Sequence, residues 1–415
     1  MGFLNSLHGP PPPVPTHSRP GSKPPLPPRT QVERPSPHYQ APQPVLAGYY
    51  ASWTVYSKPP FPPSHAAYYH LNTILYAFAK ITSKGEVTLG DQWGDIEKPF
   101  EPSLGIPEFD PGFKGNLGEI AIMKHRNPKL RSQLSIGGAS DETTRMFQVI
   151  IKCHDAMRRF ASDCAGLCRK YGFDGIDVDY EHPETAAEGR GLLELLKHLR
   201  ASLDNLGQQT QRPERFLLTV ATNWSATHLP LAEMNQVLDR IYLMTYDASG
   251  SWDKTLNHHA PLHGPSHAES VNKTVQLYHS RGIPLHKLIL GAPLYSRSFI
   301  TRHGVCGQNY ERVCGPSEDA SGEGTHMYNA LPRTGATEYH DPQLGVSYSF
   351  DGKEWCSYDT PTSIQWKTAF VKERGLGGVF FWDLAGGHVA QKPPHPRDLV
   401  AVTWEGLFGG VLGSY

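Results

Sequence analysis

Short apolar runs alternate with amphipathic stretches of helical period along most of this chain, and few folds accept that pattern. The runs are Val45–Tyr50, Leu71–Ala79, Leu130–Gly138, Phe173–Glu181, Phe216–Thr222, Arg240–Asp247, Lys287–Tyr295 and Gly377–Leu384. Between them lie stretches such as His154–Tyr171, Leu192–Leu206, Ser270–Gly282 and Ser363–Gly375. Leu192, Leu193, Leu195, Leu196 and Leu199 trace a helical stripe. Strands alternating with helices predict a parallel sheet, and eight of them predict an α/β fold of the (β/α)8 TIM-barrel type. Such a barrel carries its active site at the C-terminal ends of its strands. A doubly wound sheet is the alternative, but no Gly-rich phosphate loop follows the first run.

The barrel is expected over residues 45–415, with two long excursions. Residues 80–128 leave after the second run and return through a helix near Leu117–Lys124. Residues 298–360 separate the seventh strand from its helix, and a loop that long predicts a small α+β inserted subdomain. The stretch Leu399–Leu412 is expected to close the barrel as its last helix.

Residues 1–44 differ in texture. They hold 14 of the 37 prolines and few large apolar residues. Such a segment buries no core and is expected to be a disordered tail rich in polyproline II. Met1-Gly2-Phe3-Leu4-Asn5-Ser6 fits the N-myristoylation pattern, with Gly2 as acceptor. One acyl chain tethers only weakly, helped by Arg19, Lys23 and Arg29 on anionic lipid. Pro24-Pro25-Leu26-Pro27-Pro28-Arg29 has the form of an SH3-type ligand, the alternative being a solvated spacer.

The chemistry concentrates in Phe173-Asp174-Gly175-Ile176-Asp177-Val178-Asp179-Tyr180-Glu181. A strand points alternate side chains to opposite faces, so Asp177, Asp179 and Glu181 share one face. Three adjacent acids repel one another, so they share protons, bind a cation or do acid–base work. Ile176, Val178 and Tyr180 on the other face mark a buried strand, against the reading of an exposed acidic edge. Glu181 closes the run, where a barrel places catalytic groups.

The spacing Asp174-x-x-Asp177-x-Asp179-x-Glu181 resembles the signature of family 18 glycoside hydrolases, the chitinases. Other runs agree with it. Gly48-Tyr49-Tyr50-Ala51-Ser52-Trp53 is similar to that family's strand one, and Tyr76-Ala77-Phe78 to strand two. Ser135-Ile136-Gly137-Gly138 resembles its strand three, and Met244-Thr245-Tyr246-Asp247 with Gly250-Ser251-Trp252 its strand six. Tyr295-Ser296-Arg297 resembles strand seven, and Trp382 stands at the strand-eight tryptophan. The stretch Ala330–Ala336 looks most like fungal chitinases of bacterial type. The chain departs from the pattern at Ala139, where many relatives carry an aromatic residue, and at Tyr180, where Trp is common.

The resemblance implies a substrate-assisted mechanism. Glu181 would be the general acid, and the substrate's own N-acetyl oxygen the nucleophile. Asp179 would hold the acetamido N–H, and Asp177 would share a proton or hydrogen bond with Asp179. Tyr49 and Ser135 would support that pair, and Tyr246 would position the acetamido carbonyl. Trp382 would floor the central sugar site, with Phe78, Met244, Asp247 and Arg297 lining it and Trp53 stacking a more distant sugar. Asp174, on the opposite face, reads as a structural hydrogen-bonding residue. His182 would titrate near neutrality if it were involved, against a plain loop role.

Composition narrows the partners. The 39 basic and 40 acidic residues give no basic field, so no nucleic-acid partner is expected. The 8 Trp and 19 Tyr suit stacking on carbohydrate, and the expected partner is chitin or a chito-oligosaccharide met by a monomer. No cofactor and no metal are expected. Cys153, Cys164, Cys168, Cys306, Cys314 and Cys356 show no metal-ligand spacing, and nothing in the sequence requires Cys306 and Cys314 to pair. A lectin of the same fold, an endo-β-N-acetylglucosaminidase and a divalent-metal hydrolase using Asp177, Asp179 and Glu181 are the competing readings. Asn223-Trp224-Ser225 and Asn272-Lys273-Thr274 fit the glycosylation sequon. No secretory leader is recognisable, so the expected location is cytoplasmic with membrane association through Gly2. Release by a non-classical route is the alternative.

Overall fold

Alternation along the first strand, Val45–Ala51, sets the plan of the molecule. Ala47 and Tyr49 face a cluster inside a ring of strands, while Leu46 and Tyr50 face a second cluster outside it. The next strand, Thr73–Ile81, repeats this with Leu75 and Ala77 inside and Ile74 and Tyr76 outside. In the computed structural model, which describes residues 43–105, 107–265, 267–314 and 324–409, eight such strands form a closed parallel barrel. The others are Arg131–Gly137, Gly175–Asp179, Leu217–Thr222, Arg240–Leu243, Leu288–Pro293 and Gly378–Trp382. The last pairs with the first and the first with the second, which closes the ring. The (β/α)8 expectation holds. Gly2, the proline-rich motif and the basic residues of the tail lie outside the described residues.

Helices cover the outer face. They include Gly115–Arg126, Asp141–Ile150, His154–Tyr171, Ala186–Gln209, Val271–Ser280, Pro361–Arg374 and Leu399–Phe408. Leu192, Leu195, Leu196, Leu199 and Leu203 on Ala186–Gln209 are buried against the barrel. Truncating one of these leucines to Ala would cost about 2–5 kcal/mol. Thr360 caps the helix Pro361–Arg374 by accepting from the Ser363 N–H, and Gly375 ends it in the left-handed conformation. Among the described residues, the crossover from the first to the second strand is built from 3-10 turns, Ser52–Tyr56 and Pro63–His65. No described helix is long and apolar enough to cross a membrane.

The interval after the seventh barrel strand carries an antiparallel five-stranded sheet. Its order is Arg312–Val313, Arg297–Ile300, Glu354–Ser357, Val346–Phe350, Thr337–Asp341. Phe299 and Trp355 bury a core of its own with Leu256, flanked by Tyr310, Tyr348 and Phe350. Cys306 and Cys314 are free thiols, as are the four other cysteines.

Candidate functional site

Register brings the acids their partners. On strand Gly175–Asp179, Asp177 stands level with Ser135 on one neighbouring strand and Thr219 on the other. Both hydroxyls donate to it, Ser135 Oγ at 2.7 Å to Oδ2 and Thr219 Oγ1 at 2.7 Å to Oδ1. The Tyr49 hydroxyl donates a third bond at 2.8 Å to Oδ2. Burial raises the Asp177 pKa, and these three donors pull the other way. Asp177 is therefore a buried carboxyl whose oxygens are already engaged.

Asp179, one step up the same face, is treated differently. It is 3 % exposed, and its Oδ1 has no hydrogen-bond partner among the described residues. Burial, then the charges of Glu181 and Asp177, raise its pKa well above the carboxylate range. Backbone approach here is close. A Cβ on Gly137 would fall 1.8 Å from the Asp179 carbonyl oxygen, so the strand-three glycine admits no side chain.

Glu181 sits two residues beyond, past the end of the strand, with its side chain 19 % exposed. Burial and the nearby charge of Asp247 raise its pKa to about 7. Asp247 itself remains ionised. Burial works against its charge, but His259 Nδ1 at 3.6 Å and the Arg297 Nε–H, donating at 2.8 Å, hold its pKa far below the usual range. Asp247 adopts φ 58°, an uncommon left-handed conformation for a residue with a side chain. His182 Nε2 lies 3.6 Å from Glu181 Oε2, and burial lowers its pKa.

Asp179, Glu181 and Asp247 meet in a cavity of about 760 Å³ at the C-terminal end of the barrel. Asp179 and Glu181 open into it beside Tyr49, Tyr246, Met244 and Trp382. Aromatic rings form a row along one side. Trp53 stacks on Phe78 at 6.0 Å, Phe78 on Trp382 at 5.8 Å, and Trp382 tilts onto Tyr49 at 5.3 Å. Trp53 is half exposed at the outer end of that row. The peptide bonds Ala77–Phe78, Glu181–His182 and Trp382–Asp383 are cis. Ala139 also lines the cavity, with Met146 and Thr143 beyond it.

Three residues named from sequence, Asp177, Ser135 and Arg297, stand behind the wall. Ser135 is fully buried and reaches only Asp177, and Arg297 meets the site through Asp247 while lying over the Trp252 and Tyr295 rings. Thr219 was not singled out in the sequence. Its inward position on the fifth strand was readable, but only register shows that it flanks Asp177. Asp174, on the opposite face, accepts from the Ser132 N–H at 2.8 Å and pairs with Lys124 at 2.5 Å and Arg212 at 2.7 Å.

Comparison with known proteins gives concordant results. Residues 45–387 match the family model described as glycosyl hydrolases family 18. Chitinase 1 of Aphanocladium album is 32% identical over 351 residues, covering 81% of this chain and 80% of that protein. The sporulation-specific chitinase 2 of Saccharomyces cerevisiae is 30% identical over 398 residues, covering 86% and 77%. The solved structure of a family 18 chitinase from Cycas revoluta in complex with (GlcNAc)3 is 25% identical, with a TM-score of 0.72, covering 88% of this chain and 98% of that one.

Proposed function

Because this chain belongs to the glycosyl hydrolases of family 18, we propose that it is a chitinase, cleaving β-1,4-N-acetylglucosamine linkages in chitin and chito-oligosaccharides. The relatives named as chitinases, and the Cycas enzyme with its N-acetylglucosamine trimer, support this choice of substrate. The observation that carries the reading is Asp179 Oδ1, buried and without a partner between Asp177 and Glu181. A buried acceptor costs about 1–3 kcal/mol until something donates to it. The N–H of a substrate acetamido group is such a donor.

Each acid then has a distinct task. Glu181, with a pKa of about 7, keeps a proton near neutrality and gives it to the glycosidic oxygen as the bond to C1 breaks. The acetamido oxygen of the same sugar attacks C1 from the other side. Asp179 accepts from the acetamido N–H and, with its proton passed to Asp177, balances the positive charge of the oxazolinium ring that forms. Asp177, fixed by Tyr49, Ser135 and Thr219, holds negative or shared-proton character beneath Asp179. The Tyr246 hydroxyl orients the acetamido carbonyl. The deprotonated Glu181 next takes a proton from water as that water opens the ring, and the anomeric configuration is retained. Asp247, kept anionic by Arg297, favours return of the proton to Glu181. The Trp382 indole supplies the apolar floor for a pyranose face.

The test is hydrolysis of chitotriose and chitotetraose, with product anomers followed by NMR. Wild type should release the β-anomer first, and Glu181→Gln should be slower by several orders of magnitude. Binding of both oligomers without any cleavage by wild type would overturn the reading in favour of a lectin.

A further inference from the structure

Away from the cleft, within the inserted sheet, three side chains converge on one point. Cys314 directly follows the strand Arg312–Val313, and Glu354 opens the strand Glu354–Ser357. His326 comes from the segment between them. Cys314 Sγ lies 3.3 Å from His326 Nε2, and Glu354 Oε1 lies 2.6 Å from that same nitrogen. One donor atom from each residue falls within 4.8 Å of the other two. The imidazole is buried, and the thiol and carboxylate are half-buried.

Thiol, imidazole and carboxylate could also suggest a catalytic triad. In a triad, however, the acid holds the ring nitrogen opposite the one that faces the nucleophile. Here both neighbours meet the same nitrogen, so the three atoms face a common point instead of forming a relay. A soft sulfur, an imidazole nitrogen and one carboxylate oxygen suit Zn²⁺, whereas Mg²⁺ and Ca²⁺ take oxygen ligands.

We propose that Cys314 Sγ, His326 Nε2 and Glu354 Oε1 form a zinc site in the inserted sheet, with water as the fourth ligand. Zinc bond lengths of about 2.0–2.3 Å set tetrahedral ligand atoms roughly 3.3–3.6 Å apart. The sulfur–nitrogen separation already matches that range. Glu354 needs to withdraw by less than about 1 Å, which a side-chain rotation supplies. Thiolate and carboxylate together neutralise the ion, so the burial of His326 does not oppose it. On binding, the Cys314 S–H bond breaks and its proton leaves to solvent. The imidazole hydrogen that faces Glu354 from Nε2 moves to Nδ1, which frees the Nε2 lone pair for zinc. Glu354 is already ionised, so one proton is released per ion.

The backbone holds these residues in place. The Cys314 N–H donates to Ser298 O at 3.0 Å, the Gly324 N–H to Cys314 O at 2.8 Å, and the Ser298 N–H to Gly324 O at 2.7 Å. The His326 carbonyl accepts from the Ser296 N–H at 2.9 Å. Zinc would thus tie three segments to the strand Arg297–Ile300, whose first residue orders Asp247 in the cleft. Its role is structural, and it does not depend on the chitinase reading. Because binding displaces the thiol proton of Cys314, affinity should rise with pH.

Titration of the metal-stripped full chain with cobalt(II), then zinc, tests this. Wild type and Cys306→Ser should develop the near-ultraviolet thiolate-to-cobalt band, and zinc should abolish it. Cys314→Ser and Glu354→Gln should lose or weaken the band, and zinc should raise the melting temperature of wild type but not of Cys314→Ser. Absence of the band in wild type, or an equal band in Cys314→Ser, overturns the proposal. Should Cys314→Ser fail to fold, the wild-type band and its displacement by zinc decide alone. Oligosaccharide hydrolysis, measured separately, reports on the cleft, so failure of one reading is distinct from failure of the other.

Discussion

Asp174 and Glu181 belong to one stretch of chain, yet their surroundings are opposite. At the lower end of the strand, Asp174 is met by Lys124, Arg212 and a backbone N–H, and its pKa falls although burial resists this. At the upper end, burial and the charge of Asp247 act on Glu181 with no cation among the described residues to answer them, and its pKa rises to about 7. The lower end is built to keep a charge and the upper end to hold a proton. The difference teaches where this molecule places stability and where it places reactivity, in line with the two faces of a (β/α)8 barrel.

Titration of the upper end gives the largest effect. If protonated Glu181 is the acid, hydrolysis by wild type should fall about tenfold per pH unit above roughly 7, as read from kcat/KM against pH. Stability should follow the same group. A carboxyl whose folded pKa exceeds its unfolded value loses stability as pH rises between 4.5 and about 7. Glu181→Gln should therefore be more stable than wild type at pH 8 by about 2–3 kcal/mol and nearly equal at pH 4, measured by urea unfolding.

Asp174→Asn should do the reverse. It leaves Lys124 and Arg212 unanswered and should lower stability by about 2 kcal/mol, allowing for the partial exposure of both cations. The depressed folded pKa means that the contribution is present above the ordinary Asp value of 3.8 and is lost as pH falls through the folded value. The deficit should therefore shrink in acid, while kcat of the folded fraction stays at the wild-type level. A stabilised Asp174→Asn would break the comparison. Thr219→Val sharpens it from within, by removing one of three donors to Asp177 without touching the cavity. It should lower kcat by about tenfold, the worth of one hydrogen bond to a charged group, with KM unchanged. Trp53→Ala should have the smallest effect, a few-fold rise in KM for the longer oligosaccharides, with kcat and stability retained.

The strand–helix rhythm was legible because apolar spacing is a local property. Inward and outward faces could be read from parity alone, as Tyr49 and Tyr50 illustrate. What joins distant segments was legible only where the family resemblance supplied it, as for Tyr49 and Ser135 beside Asp177. Ser135, Asp177 and Thr219 come level only through sheet register. Lys124 and Arg212 reach Asp174 from separate parts of the sequence. Cys314, His326 and Glu354 follow no metal-binding spacing, because antiparallel pairing rather than a local turn brings them together. The sequence left the pairing of Cys306 and Cys314 open; both are free thiols, and the Cys314 sulfur turns to an imidazole.

The inserted sheet leaves through Arg297–Ile300 and returns through Glu354–Ser357, and these strands are hydrogen-bonded neighbours, with Arg297 opposite Ser357. Entry and exit are thus one strand spacing apart, about 4.8 Å. The barrel sees a stem of fixed width however much chain lies beyond it. Lengthening or shortening the outer hairpin Thr337–Asp341/Val346–Phe350 would leave the ring's closure untouched and change loop-closure entropy only logarithmically. In evolutionary terms the stem is a graft point, where segments can be exchanged without renegotiating the fold beneath.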